Sequence, residues 1–258
     1  MTRVLITGST DGLGLRTAQL LADRGAEVVL HGRSPERLES ARRSVGDAAV
    51  DAVLADLADL DQVAELAAAT QGVDVLLNNA GVYERELTTT TDGYEMTWAV
   101  NHLAPSLLTA LLLPSLPDGG RVVNLSSVAH ARGSIDLADP GFERRRWNHY
   151  RAYATSKLAN LLMAREWSRR QDRVNFFAVH PGVIGTKLLT EGFRVEGSDS
   201  LDEGSATSVF AVLDPSLAGH SGSYLSDSAI VEPAAPGRDD ETAAALFDYT
   251  MRELGLTT

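Results

Sequence analysis

The chain has 258 residues, a formal net charge of −12 and no cysteine. Without cysteine there is no disulfide, no thiolate nucleophile and no Cys-ligated metal. So acidic a chain is a poor partner for nucleic acid or for an anionic membrane surface.

Met1-Thr2-Arg3 runs into the short apolar stretch Val4-Leu5-Ile6, which Gly8 ends too soon for a secretory leader. A strand is predicted at 3–6 and a helix at 12–24, joined by TGSTDGLG (7–14). Glycines at positions 8, 12 and 14 permit a tight turn and let backbone approach a pyrophosphate. The following helix N-terminus supplies N–H donors and partial positive charge. Glycine also serves plain turns. Its place after the first strand of an α/β pattern favours nucleotide binding, through Gly8, Ser9, Thr10, Asp11, Gly12, Leu13 and Gly14. Asp11 is the discordant member, a negative charge near the phosphates.

The second strand, 27–31, ends at HGRS (31–34), with no carboxylate before Glu36. An acidic residue here would accept from a ribose 2′-hydroxyl; an arginine accommodates a 2′-phosphate. Arg33 can bind phosphate bidentately and Ser34 can add a hydroxyl. The expected cofactor is therefore NADP(H), with NAD(H) possible. The plain alternative for Arg33 is a solvated loop cation.

Helices follow at 35–44, 60–70, 92–116 and 151–170, and strands at 50–54, 73–77, 121–125, 173–179 and 222–226. Such alternation predicts one α/β domain over 1–258, a doubly wound parallel sheet of about seven strands with helices on both faces. The longest apolar run, LLTALLLPSL (107–116), is broken by Pro114 and is too short to span a bilayer. A cytoplasmic protein without a membrane partner is the expectation. Residues 133–150 and 187–205 lack periodicity. Arg144-Arg145-Arg146, in the first, reads as a solvated basic face rather than a phosphate cluster. The six histidines have no paired metal-ligand spacing. Asn124-Leu125-Ser126 fits a glycosylation pattern but falls on a predicted buried strand. Trp98, Trp147 and Trp167 read as core or pocket wall.

YATSK (153–157) puts Tyr153 and Lys157 on one helix face. Such pairs are usually surface contacts worth a few tenths of a kcal/mol. A cation beside a phenol can also lower its pKa from about 10 by roughly 1–3 units, towards the range of a general acid/base.

TGSTDGLG, NNAG (78–81), YATSK and HPGVIGT (180–186), in that order, resemble the short-chain dehydrogenase/reductase family over nearly the whole chain. VNHLAPSLLTALLLP, VVNLSSVAH and YATSKLANLLMARE look closest to its retinol dehydrogenase and WW-domain oxidoreductase branch. The resemblance implies a Rossmann-type fold and a carbonyl–alcohol interconversion by hydride transfer. It implies that Asn79, Ala80 and Gly81 floor the adenine-ribose side and that Asp56 and Leu57 hold the adenine. Asn101 matches a structural asparagine that holds a relay water. The family's serine is usually the second of such a pair, so Ser127 is chosen over Ser126. Tyr153 would pass the proton, and Lys157 would lower its pKa and bond the nicotinamide ribose. Pro181, Gly182, Ile184 and Thr186 would meet the nicotinamide side, and His180 is structural.

Two other readings stand beside this one. A dinucleotide-binding sensor without turnover would usually lack Tyr or Lys; both are kept here. A nucleotide-sugar epimerase or dehydratase needs a larger substrate domain, and only about 70 residues follow HPGVIGT. Tyr83, Trp147 and Phe193 are the candidate substrate wall, and 187–205 the candidate lid. Ser127 and Tyr153 lie 26 residues apart, an insertion that matches this branch and is expected to modify the helix many relatives use to associate. A homodimer or a monomer is therefore as open to it as a tetramer. Retinoid substrates are not carried over, because branch members acting on them often have a membrane anchor that this chain lacks.

Overall fold

The computed structural model describes residues 1–142, 144–185 and 197–256. Thr186, Phe193 and the 187–196 part of the expected lid lie outside them.

Seven parallel strands form the sheet: β1 (Arg3–Ile6), β2 (Glu27–Gly32), β3 (Ala49–Leu54), β4 (Val75–Asn78), β5 (Arg121–Leu125), β6 (Asn175–His180) and β7 (Tyr224–Ser226). An eighth, β8 (Ala229–Val231), pairs antiparallel with β7 and is one more than the expected number. Asp227 and Ser228 both take positive φ in the two-residue turn that joins them, as a hairpin matched to strand twist requires. The strand order is β3-β2-β1-β4-β5-β6-β7-β8.

Strands buried on both faces read as continuous apolar runs, and successive side chains go to opposite sides. Leu5, Val29, Leu76, Val122 and Phe176 face one layer, and Ile6, Leu30, Leu77, Val123 and Phe177 the other. The first layer is α3 (Leu60–Ala69), α5 (Ala104–Leu112) and α6 (His149–Arg170). The second is α1 (Gly12–Ala22), α2 (Pro35–Val45) and α7 (Leu201–Leu213). A final helix, α8 (Asp240–Glu253), packs Leu246, Phe247 and Met251 against Leu158, Leu162 and Met163 of α6. The expected fold class is therefore met, with α7 and α8 added. The first turn of α7, closed by a reciprocal Ser200–Glu203 capping box, takes up 201–205 of the expected lid.

The helix expected over 92–116 is not uniform. A short α4 (Met96–Trp98) widens into a π turn, Ala99–Leu103, before α5 begins. Such turns occur mostly as single insertions at functional sites, and this one carries Asn101. By length and composition Met96–Ser115 could cross a membrane, but 72% of its apolar window is buried inside the protein. Strand order reverses between β1 and β4, and a crevice opens at the carboxyl ends of the strands there.

Candidate active site

The turn after β1 is built around two glycines. Gly8 has φ +64°, a conformation that costs glycine little. A Cβ on Gly14 would lie 2.3 Å from the Gly8 carbonyl and 2.4 Å from Asn79 Nδ2. The chain can pass this closely only without a side chain. Asn79 completes the stitch: its Nδ2 donates to the carbonyls of Thr7 (2.8 Å) and Gly8 (3.1 Å). Thr7 Oγ1 accepts from the Asn79 and Ala80 amides, each at 3.0 Å.

His31 joins three loops. Its Nδ1 accepts from Gly8 N–H at 3.0 Å and its Nε2 donates to Ala55 O at 3.1 Å. Burial lowers its pKa to about 4, so the ring is neutral, as both bonds require. Ser9 is spent on the same joint. It is fully buried, its Oγ accepts from His31 N–H at 2.9 Å, and it is not among the crevice-lining residues. Ser34 also turns away: its hydroxyl caps α2 by accepting from Arg37 N–H at 3.3 Å and donates to Glu36 at 2.8 Å. The two serine hydroxyls thus serve the protein's own turns, which disagrees with their expected place at the cofactor.

Arg33 lines the crevice, exposed, with no ion-pair partner among the described residues. Asp11, the discordant charge, is accounted for. One carboxylate oxygen caps α1 at Gly12 N–H (2.8 Å) and the other holds Arg37 at 2.8 Å. Arg37 also lines the crevice. The sequence reading missed it; its place one turn into the helix after HGRS was the available signal. Asp56 and Leu57 line the same side, as do Ala80 and Gly81.

The two serines of NLSS part company. Ser126 is buried and donates to Lys157 O at 2.7 Å. Ser127 begins a 3₁₀ turn, Val128–Arg132, accepting from Ala129 N–H at 3.2 Å, and it lines the crevice beside Tyr153, whose pKa it acts to lower. This geometry favours the choice of Ser127. Lys157 Nζ donates to Leu125 O at 2.9 Å and lies 5.5 Å from the Tyr153 ring centroid. A Cβ on Gly81 would come 3.3 Å from Asn101 Oδ1 and 3.4 Å from Lys157 Nζ, so both groups flank one backbone segment. Asn101 is fully buried; its amide accepts from Val82 N–H (2.7 Å) and donates to Val82 O (2.9 Å) and Ser156 Oγ (3.1 Å). Its side chain is thereby committed to holding the loop after β4.

Burial pushes the Tyr153 phenol well above its ordinary pKa, with Ser127 opposing; burial brings Lys157 down to about 8. The expectation that Lys157 lowers the Tyr153 pKa is not met within the protein itself. Desolvation of a fully enclosed phenol outweighs a cation whose nearest partner is a carbonyl.

At the end of β6, Pro181, Gly182 and Ile184 line the crevice. Gly182 has φ +98°, and Val183 N–H donates to Asp199 at 2.6 Å. On the substrate side the wall is Val128, Ala129, Ala131, Arg132 and Tyr150. Tyr83 and Trp147 sit behind it. Tyr83 packs edge-on to Tyr153 with its hydroxyl 2.5 Å from His149 Nδ1, and Trp147 Nε1 donates to buried Glu95 at 3.3 Å. Of the Arg144–Arg146 run, Arg144 and Arg146 are exposed, as a solvated face requires, while Arg145 is pinned to buried Asp139 at 3.1 Å and lies over Phe142. No group of three or more metal-ligating side chains occurs among the described residues.

The crevice encloses about 1050 Å³ and runs unbroken from Arg33 past the glycine turn to Tyr153. The protein fits a phosphorylated dinucleotide at each end. The first amides of α1 have no intrahelical acceptor, and among the described residues Arg33 has no counter-ion. Among the same residues only Leu125 O accepts from Lys157 Nζ. Such a crevice belongs to the dinucleotide-dependent oxidoreductases. More particularly, the chain belongs to the short-chain dehydrogenase family, whose model matches residues 2–196. It is an oxidoreductase acting on CH–OH groups with NAD(P). A Streptomyces sp. (strain C5) protein with the provisional name daunorubicin C-13 ketoreductase is 38% identical, over 98% of this chain and 93% of its own. Human retinol dehydrogenase 13 is 36% identical over 98% and 84%. A crystal structure of an uncharacterized Mycobacterium paratuberculosis protein superposes with a TM-score of 0.86 at 35% identity, covering 99% of this chain and 94% of its own. A Burkholderia cenocepacia short chain dehydrogenase solved in complex with NADP has a TM-score of 0.69 at 26% identity, covering 87% and 95%.

Proposed function

We propose that the protein is an NADP(H)-dependent oxidoreductase that interconverts a ketone or aldehyde and an alcohol, with Tyr153 as general acid/base. The observation that carries this is the convergence of Ser127, Tyr153 and Lys157 with Arg33 in the lining of one crevice. Two relatives are named for a ketone reduction and for an alcohol oxidation, the two directions of one interconversion.

Arg33, seconded by Arg37, would take the adenosine 2′-phosphate. Leu13 and Gly14 offer amides to the pyrophosphate, Gly12 N–H being held by Asp11, and Asp56 and Leu57 border the adenine. When bound, the nicotinamide supplies or accepts the hydride, and its oxidised ring adds a positive charge. Lys157 would turn its two free protons to the nicotinamide ribose. Ser127 would donate to the substrate oxygen and hold it against Tyr153, whose phenol gives or takes the proton. Asn101 acts by fixing the loop that carries Gly81 and Val82. Thr186, outside the described residues, is kept as a candidate contact by the resemblance alone.

A site in the cytoplasm belongs to this proposal, supported by the acidic surface charge and by the burial of Met96–Ser115 in the core. So does a monomer, or a dimer formed without α6. Supporting it, Ala152–Ala164 of α6 is buried within the chain itself, in part under α8. Light scattering that gave a tetramer would refute it.

The test is oxidation of NADPH, followed by absorbance, with a panel of ketones and aldehydes. Tyr153→Phe is expected to lose at least about 100-fold in kcat, the usual share of a general acid, and to keep its cofactor affinity. Turnover that survives the substitution would overturn the role of Tyr153. Cofactor binding without turnover on any carbonyl would favour the sensor.

A further inference from the structure

We propose that His130 and His180 are positioning residues for Ser127, because between them they hold both polar ends of the Ser127–Val128 peptide group. The proposal rests on the reading of Ser127 given above.

His130 Nδ1 lies 2.7 Å from Ser127 O. A carbonyl only accepts, so Nδ1 carries the proton. His130 Nε2 then has the lone pair that accepts from Ala234 N–H at 3.1 Å. On the other end, His180 Nδ1 accepts from Val128 N–H at 3.3 Å. One imidazole donates to the C=O and the other accepts from the N–H of the same peptide. Both roles need neutral rings, and burial lowers both pKa values. Asp227 and Asp199 oppose this at His180, and His130 adds to it.

The chain is also anchored just upstream, where Ser126 N–H donates to Val179 O at 2.8 Å. With Ser126 fixed and the next peptide gripped at both ends, Ser127 has no free backbone rotation. The two imidazoles reinforce two contacts of the turn itself, His130 N–H to Ser127 O at 3.0 Å and Ala129 N–H to Ser127 Oγ at 3.2 Å, and together these orient the hydroxyl towards Tyr153. The clamp reaches far along the chain: His180 ends β6, and Ala234 lies beyond β8. His130 is buried and packs edge-on to Tyr224 at 4.9 Å, so its removal also costs packing. The Val128 amide donates to His180, and the residue is 56% exposed, so the His180 bond is the expected source of that amide's protection.

The test compares alanine with amide side chains that restore one hydrogen bond each. His180→Ala and His130→Ala are expected to lower kcat by about 10–100-fold, the cost of a misplaced catalytic group. His180→Asn returns an acceptor at the Nδ1 position and should recover most of that loss. His130→Asn returns the donor to Ser127 O and should recover kcat. His130→Gln restores only the acceptor for Ala234, and should recover Tm without kcat. By hydrogen exchange, the Val128 amide should be protected in the wild type and exchange at least about tenfold faster in His180→Ala. Equal rescue of kcat by His130→Gln and His130→Asn would overturn the proposal. So would a Val128 amide whose exchange is the same with and without His180. If the wild type turns over no carbonyl, the proposed function fails. The Val128 amide then still decides the clamp, upheld if protection is lost in His180→Ala and overturned if it is not.

Discussion

Arg33→Ala should weaken NADPH binding by about 10–100-fold and leave NADH within about twofold. The guanidinium is exposed at the end of β2 and has no ion-pair partner among the described residues. Forming a phosphate contact therefore breaks little. A hydrogen bond to a charged group is worth roughly 1.5–3 kcal/mol, and each 1.4 kcal/mol is about tenfold in affinity. Arg37 starts from a different position. Its guanidinium is held by Asp11 at 2.8 Å, with the two side chains 52% and 48% exposed. A pair that open is worth at most about 1 kcal/mol, but the phosphate has to compete with it. Arg37→Ala is therefore expected to cost less, about threefold to fivefold. Asp11→Asn keeps the cap on Gly12 and releases Arg37, so NADPH should bind a few times more tightly at low salt. Fluorescence titration with NADPH and NADH at two ionic strengths reads all three variants. An Arg33→Ala protein that loses NADPH and NADH equally would refute the assignment of Arg33 to the 2′-phosphate. A larger loss from Arg37→Ala would transfer the role to that residue.

Two further predictions concern the scaffold beneath the site. Gly14→Ala places a Cβ 2.3 Å from the Gly8 carbonyl and 2.4 Å from Asn79 Nδ2; overpacking of this kind costs roughly 1–3 kcal/mol. A Tm lower by several degrees together with loss of cofactor binding is expected, and unchanged binding would show that the turn can relax. His31 and His102 have pKa values lowered by burial to about 4 and about 3, against about 6.5 in an unfolded chain. The unfolded state therefore takes up protons first as pH falls below 6.5, and each histidine removes about 2 kcal/mol of stability between pH 7 and pH 5. A Tm drop of roughly 10 °C across that window should appear in thermal scans; about half that drop would mean that one ring is charged in the native state, and a flat profile that both are.

The fold was readable because its strands are covered on both faces. Runs such as VLI, VVL and VLL are apolar on both faces, and a glycine or asparagine follows each within two residues. What escaped has a physical reason in each case. β8 is three residues long with all of them exposed, so no burial pattern marks it. α7 is apolar nearly all round, with Gly204, Ser205, Thr207 and Ser208 buried beside Val209 and Val212, and small polar residues hide its period. In the site, motif order brought out the Tyr153–Lys157 pair, but not which hydroxyls the protein uses itself. Ser9 and Ser34 have the right residue type at the right place. Only the tertiary structure, through His31 and the α2 cap, shows them committed elsewhere.

The two ionisable groups at the centre are moved in opposite directions by one cause. Burial favours the neutral form of each, raising the phenol and lowering the amine. Within the protein alone, Tyr153 is thus a neutral proton donor at pH 7, and Lys157, at about 8, is mostly charged. A neutral phenol is what carbonyl reduction needs, since the new alkoxide must be protonated; alcohol oxidation needs the phenolate. Lys157 supplies the condition that can be measured. Its charge is present below its pKa and is lost as pH rises through about 8. The value of kcat/KM for NADPH, which reports groups of the free enzyme, should fall across that pH. Lys157→Arg keeps a charge at every working pH, so its profile should be lower but without that limb. A limb that persists in Lys157→Arg would belong to another group, and a wild-type profile level to pH 10 would show that the charge of Lys157 does not govern cofactor capture.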